Sequence, residues 1–94
     1  MATPHVPTAY TLLTLPAARR QLQRLQKTHI PETKKIVTNI MSLAKNPRPL
    51  GVRKLANRSE MRLRIGDYRV LYLIDDVRRT VTISMIAHRR EAYR

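Results

Sequence analysis

The second half of the chain is written in period two. In Met61–Ile65, MRLRI, the apolar Met61, Leu63 and Ile65 alternate with Arg62 and Arg64, so a strand here has an apolar face and an arginine face. Gly66–Asp67 is a turn signal. Tyr68–Ile74, YRVLYLI, is nearly all apolar, as expected of a central strand, and DDVRR makes the next turn. Thr80–Ile86, TVTISMI, forms the last strand and leads directly into AHRREAYR, residues 87–94.

The first half follows a different period. Tyr10–Leu15, YTLLTL, reads as a short first strand. Pro16 stands where a first-turn helix proline belongs, and Ala18, Leu22 and Leu25 follow at helical spacing through PAARRQLQRLQK. A second helix begins at Pro31, with Glu32 in its first turn and a stripe of Ile36, Val37, Ile40, Leu43 and Ala44. It should end near Asn46, because Pro47 and Pro49 disfavour helical backbone before them. So short a connection makes the two helices an antiparallel hairpin. LGVRKLANRSE is a basic loop or a ragged edge strand.

The expected fold is therefore α+β in the order βααβββ. A small antiparallel sheet carries the N-terminal helical hairpin on one face, and the arginines of MRLRI point to the other. Residues 1–9 form a flexible, proline-interrupted arm, and residues 10–94 a single domain. A chain of 94 residues buries only ~60–65% of its unfolded surface. Without Trp or Phe, its core is built from Leu, Ile, Val and Met with a few Tyr.

Charge changes the picture more than composition does. The net charge of +13 predicts a polyanionic partner, and a hydrophobic content of 43% places that charge on a folded domain. The absence of cysteine removes disulfides, thiolate catalysis and Cys-type zinc sites. Together with the lack of a signal-like start or a membrane-length apolar run, it suggests a cytoplasmic protein.

The candidate chemistry lies on the open face of the sheet. Arg62 and Arg64 project together, Arg69 follows the Gly66–Asp67 turn, and the last strand delivers Arg89 with His88 and Tyr93 close by. Lys54 borders this set from the preceding loop, with Arg90 and Arg94 at the chain's end. The six acidic residues are scattered and no phosphate-binding glycine loop occurs, so neither a metal nor a nucleotide cofactor is called for.

Arginine is always protonated, which suits it to stabilising a phosphate whose charge grows in the transition state. Tyr93 and His88 are left to handle protons, and a tyrosine ringed by arginines favours its phenolate. Metal-free cleavage of RNA through its 2′-OH needs this set of groups. Alternating arginines are equally the pattern of a solvated strand face, His88 of a surface residue and Tyr93 of a packer at the core edge. The residues by themselves indicate a domain that binds nucleic acid or an acidic partner, or a metal-free ribonuclease.

Residues 62–94, RLRIGDYRVLYLIDDVRRTVTISMIAHRREAYR, resemble the C-terminal half of RelE-type toxins of the RelE/ParE toxin–antitoxin superfamily. The R-x-G-D-Y-R-V-x-Y run and the closing HRREAYR are the most specific parts. The resemblance implies a ribosome-dependent endoribonuclease that cuts mRNA in the 30S A site and is held inactive by an acidic, RelB-like antitoxin. It implies that Arg62 and Arg64 occupy the positions of a basic pair, often lysines, and that arginine at both shifts the base role to His88 or Tyr93. Arg69 then matches a phosphate-binding arginine and Arg89 the arginine after the last strand. Tyr93 matches the C-terminal tyrosine, two residues nearer that arginine than in some members. The ParE branch shares the fold but inhibits DNA gyrase without cutting RNA, and is the alternative reading.

Overall fold

The computed structural model describes residues 9–90. Strand β1 spans Thr11–Thr14, helix α1 Pro16–Thr28 and helix α2 Ile30–Ser42. Strands β2 (Arg53–Lys54), β3 (Met61–Ile65), β4 (Tyr68–Asp75) and β5 (Thr80–His88) follow. The layers are those expected, with the helical hairpin covering one face of a sheet ordered β1-β5-β4-β3-β2.

The sheet differs from the expected one in two respects. It is mixed, because β1 pairs in parallel with β5 while every other pair is antiparallel. Short turns force β3, β4 and β5 into antiparallel neighbours, but the helical hairpin separates β1 from the rest and leaves its direction free. The sheet also has a fifth strand, since part of the basic loop pairs as β2, two residues long, along the edge of β3. The second helix stops at Ser42, earlier than the prolines alone required, and a turn carries the chain to Asn46.

The apolar stripes meet between the layers. Ala18 and Leu25 of α1, Ile36 and Ile40 of α2, and Leu43 just beyond it pack on Leu63, Ile65, Val70, Tyr72, Val81, Ile83 and Ile86. Tyr72 is the largest fully buried side chain, and its hydroxyl donates to the Pro47 carbonyl at 2.7 Å. That bond satisfies both buried polar groups and fixes the chain's exit from α2 against the central strand. Burial pushes the Tyr72 phenol up to about 12.

At the opposite end of β4, Asp76 gathers three segments. It accepts from the Tyr10 hydroxyl at 2.5 Å and from both terminal nitrogens of Arg48 at 3.2 and 2.9 Å. The Arg79 guanidinium lies over the Tyr10 ring, 4.4 Å from its centre. The hydrogen bonds from Arg48 and then Tyr10 hold the Asp76 carboxyl down at about 2.

Candidate functional site

The open face is organised by strand register. Side chains directly opposite one another in an antiparallel pair share a face. Arg64 faces Arg69 across β3 and β4, and Arg53 faces Arg62 across β2 and β3. Leu63 and Ile65, on the alternate positions, are buried under the helices, so these four arginines lie on the uncovered side. Like charges directly opposite each other oppose sheet formation. Two such pairs side by side make a surface suited to anions.

Arg69 is the most constrained member. Its Nη1 donates to the carbonyls of Gly66 at 3.3 Å and Tyr68 at 3.1 Å, which ties the guanidinium to the turn. Its Nε is buried without a hydrogen-bond partner among the described residues. Gly66 has φ +58 while Asp67 has no positive φ, the backbone of a two-residue II′ hairpin, and glycine adopts its first position at least cost.

Arg89 joins this end of the face from β5. Its amide donates to the Asp67 carbonyl at 2.7 Å, extending the β4–β5 ladder by one residue, and its Nε lies 3.8 Å from the Asp67 carboxylate. Ala87 is opposite Arg69, so the alternation places Arg89 on the arginine side.

His88 is not part of this set, contrary to the sequence expectation. It pairs with the buried Tyr68 and points to the helix side, where the two rings meet edge to face with centroids 5.4 Å apart. A β-bulge is responsible. Leu71 pairs with Met85 but Tyr72 with Ile83, so Ser84 is an extra residue, and its hydroxyl donates to the Leu71 carbonyl at 3.1 Å. Before the bulge Val81 and Ile83 face the helices; after it Ile86 and His88 do. The phase change that removes His88 brings Arg89 onto the open face.

Lys54 also departs from expectation. It pairs with Met61, a residue packed against the core, so it belongs to the helix-side phase, and Arg53 takes the place on the open face. The signal was present in the sequence, because extending the alternation from Arg62 across an edge strand selects one of the two basic residues. Only the register shows which. Arg90 is exposed in the turn after β5, with its amide donating to His88 Nδ1 at 3.3 Å. Tyr93 and Arg94 lie outside the described residues.

A mixed sheet covered on one face by a two-helix hairpin is also the fold of solved RelE-type toxins. The chain belongs to the family of ParE toxins of type II toxin–antitoxin systems, parDE, whose model matches residues 12–93. No curated protein matches the sequence.

Among solved structures, the chain is similar to one in the toxin–antitoxin complex RelBE2 from Mycobacterium tuberculosis. The identity is 29%, over 85% of this chain and 98% of that one, with a TM-score of 0.72. A chain of the archaeal RelE–RelB complex from Pyrococcus horikoshii OT3 matches at 24% identity over 89% and 99% of the two chains, with a TM-score of 0.74. The isolated RelE toxin of E. coli matches at 17% identity over 85% and 84%, with a TM-score of 0.70. The last two similarities speak for the fold.

This protein is thus a toxin of a type II toxin–antitoxin system in the RelE/ParE superfamily. No helix among its described residues is long and apolar enough to cross a membrane.

Proposed function

We infer that this toxin is a ribosome-dependent endoribonuclease that cuts mRNA without a metal ion and so stops translation. The observation that carries this reading is the pair of opposed arginine couples, Arg64 with Arg69 and Arg53 with Arg62, on the open face. Such couples raise the cost of the sheet and are offset when an anion lies between them.

The reaction follows from these groups. A base takes the proton of a 2′-OH, whose oxygen attacks the adjacent phosphorus. The arginines hold the pentavalent phosphate as its charge grows, and the bond to the 5′ oxygen breaks as an acid protonates that oxygen. The products are a 2′,3′-cyclic phosphate and a free 5′-OH. Arg62, Arg64, Arg69 and Arg89 are the phosphate-stabilising residues, and Tyr93 is assigned the proton transfer, since His88 faces the other side of the sheet. The partner that silences the toxin is an acidic antitoxin, RelB-like, whose carboxylates neutralise the arginine face.

A second reading has a specific observation in its favour. The matching family model is that of the ParE toxins, and on that reading the arginine face engages DNA gyrase. In vitro translation separates the two. Addition of the toxin should produce mRNA cut within codons on ribosomes, lost in Tyr93→Phe and Arg69→Ala. Intact mRNA together with gyrase-dependent DNA breaks would overturn the nuclease reading.

A further inference from the structure

The open face changes character along β4. Its arginine couples occupy the end next to the Gly66–Asp67 turn, and the other end carries apolar side chains. Leu71 faces Arg62 on one side and Met85 on the other. Two residues further on, Leu73 faces Thr82, which is also the register partner of Leu13 in β1. Leu13 and Met85 are 48% and 40% exposed, whereas the neighbouring Leu12 and Ile86 pack with the core on the helix side. Leu73 stands two residues beyond Leu71, so it lies about 7 Å along the strand from the row of Arg62.

There the sheet and the β4–β5 turn border a cleft of about 680 Å³. Leu13 and Leu73 form its apolar wall, Thr80 and Thr82 offer hydroxyls, and Asp75 and Arg78 stand at its rim. Ligand clefts are of this size, roughly 300–1,000 Å³, with apolar walls and a few polar groups. The acids here are balanced, since Asp75 pairs with Arg78 and Asp76 with Arg48. The cleft therefore has no excess of cations to draw a phosphate or an acidic peptide. Asp75 Oδ1 accepts the amides of Val77 and Arg78 at 3.1 and 3.0 Å. Its Oδ2 lies 3.8 Å from the Arg78 guanidinium, which leaves room for a closer donor.

We propose that this cleft is a base-specificity subsite: it holds a base of the RNA strand whose phosphate lies on the arginines, and favours bases with an exocyclic amine over uracil. The proposal rests on the reading of this chain as a toxin that acts on RNA. A strand leaving Arg62 along β4 passes over Leu71 and Met85 and reaches Leu73. There the apolar face of a base lies against Leu13 and Leu73, with the Met85 thioether on its approach. The amine donates to Asp75, as the amine of cytosine donates to a carboxylate, and the Thr82 hydroxyl meets a second polar group of the base edge. Uracil has no amine, and its carbonyls are repelled by a carboxylate. Arginines at one end and a charge-balanced cleft at the other divide the reading of phosphate from the reading of the base.

The test uses the full chain and 2′-O-methyl RNA tetramers, which cannot be cut through the 2′-OH. Binding of the uridine tetramer is compared with that of tetramers carrying one adenosine, cytidine or guanosine. Wild type should favour an amine-bearing tetramer by about tenfold, the ordinary effect of one hydrogen bond to a charged group. Thr82→Val should lower that ratio. Asp75→Asn, which puts an amide donor in place of an acceptor, should shift it towards uridine. Asparagine still accepts the two turn amides and valine matches threonine in shape, so both variants should melt like wild type. Arg69→Ala should weaken every tetramer alike and leave the ratio unchanged.

In translation reactions Asp75→Asn should also move the distribution of mRNA cuts towards uridine, read by sequencing the new 5′ ends. Wild type that binds all four tetramers equally, or none, overturns the subsite; mRNA cut with one distribution by wild type and Asp75→Asn then leaves the proposed function standing. Intact mRNA, together with a tetramer preference that Asp75→Asn reverses, keeps the subsite and removes the nuclease reading. An acidic amphipathic peptide that binds wild type but not Leu73→Ala, with the tetramer ratio unchanged in every variant, would overturn the proposal in favour of a protein-docking surface.

Discussion

His88 stands edge-on to Tyr68 on the helix side of the sheet, with the ring planes at 88°. An imidazole held there contributes to packing and has no direct path to a phosphate on the arginine face. His88→Ala should therefore retain mRNA cleavage at close to the wild-type rate. Its cost should appear in stability, at about 0.5–1.5 kcal/mol for the lost edge-to-face pair. Loss of cleavage by a folded His88→Ala protein would return this residue to the site. Urea denaturation and a cleavage assay on the same preparation decide it.

How far the site could be read from the sequence depended on a bulge at one residue and on the register of one edge strand. Strict alternation in MRLRI gave the faces of β3 correctly, because no bulge interrupts its pairing with β4. The same alternation carried along TVTISMIAH fails at Ser84, where two residues of β5 share one position opposite β4. Nothing in the local composition marks that bulge, since serine is tolerated at many strand positions. The apolar periods of α1 and α2 placed Ala18, Leu25, Ile36, Ile40 and Leu43 in the core as expected. The direction of β1 and the pairing of Arg53 with Arg62 depend on long-range register, which neither period encodes.

Arg69 and Arg89 reach the same end of the open face from neighbouring strands, one tied to the turn's carbonyls and the other to Asp67. Arg69→Ala and Arg89→Ala should each lower cleavage by about 10²–10³, the usual loss of one oriented transition-state donor, ~2.7–4 kcal/mol. Neither residue is buried in the core, so melting temperatures should stay near wild type. Full toxicity on induction of either folded variant would exclude the proposed face.

The register distinguishes two adjacent cations. Arg53 lies beside Arg62 on the open face, whereas Lys54 shares the phase of Met61. Arg53→Ala should weaken RNA binding and lower the salt slope by about 0.7–0.9, one phosphate contact. Lys54→Ala should leave both unchanged. Equal effects from the two substitutions would mean that β2 contributes charge to its surroundings and no oriented contact.

The Asp76 network sets an acid limit on stability that is separate from the arginine face. Arg48 and Tyr10 hold the Asp76 carboxyl at about 2, below its ordinary 3.8. A carboxylate with a depressed value in the fold stabilises the protein fully above its unfolded value, and that contribution disappears as pH falls through the folded one. The loss should run from about pH 4 to pH 2. Glu60, also lowered, chiefly by its hydrogen bond from Arg58, adds to the same slope. On the alkaline side the Tyr10 phenol, raised chiefly by its hydrogen bond to Asp76, contributes stability below its ordinary 10.0 that is lost at higher pH. Asp76→Asn should lower the urea midpoint at neutral pH and flatten its decline between pH 4 and 2, leaving the share due to Glu60. An unchanged acid slope in Asp76→Asn would show that the network of Tyr10, Arg48 and Asp76 does not hold the β4–β5 turn to the rest of the fold in solution.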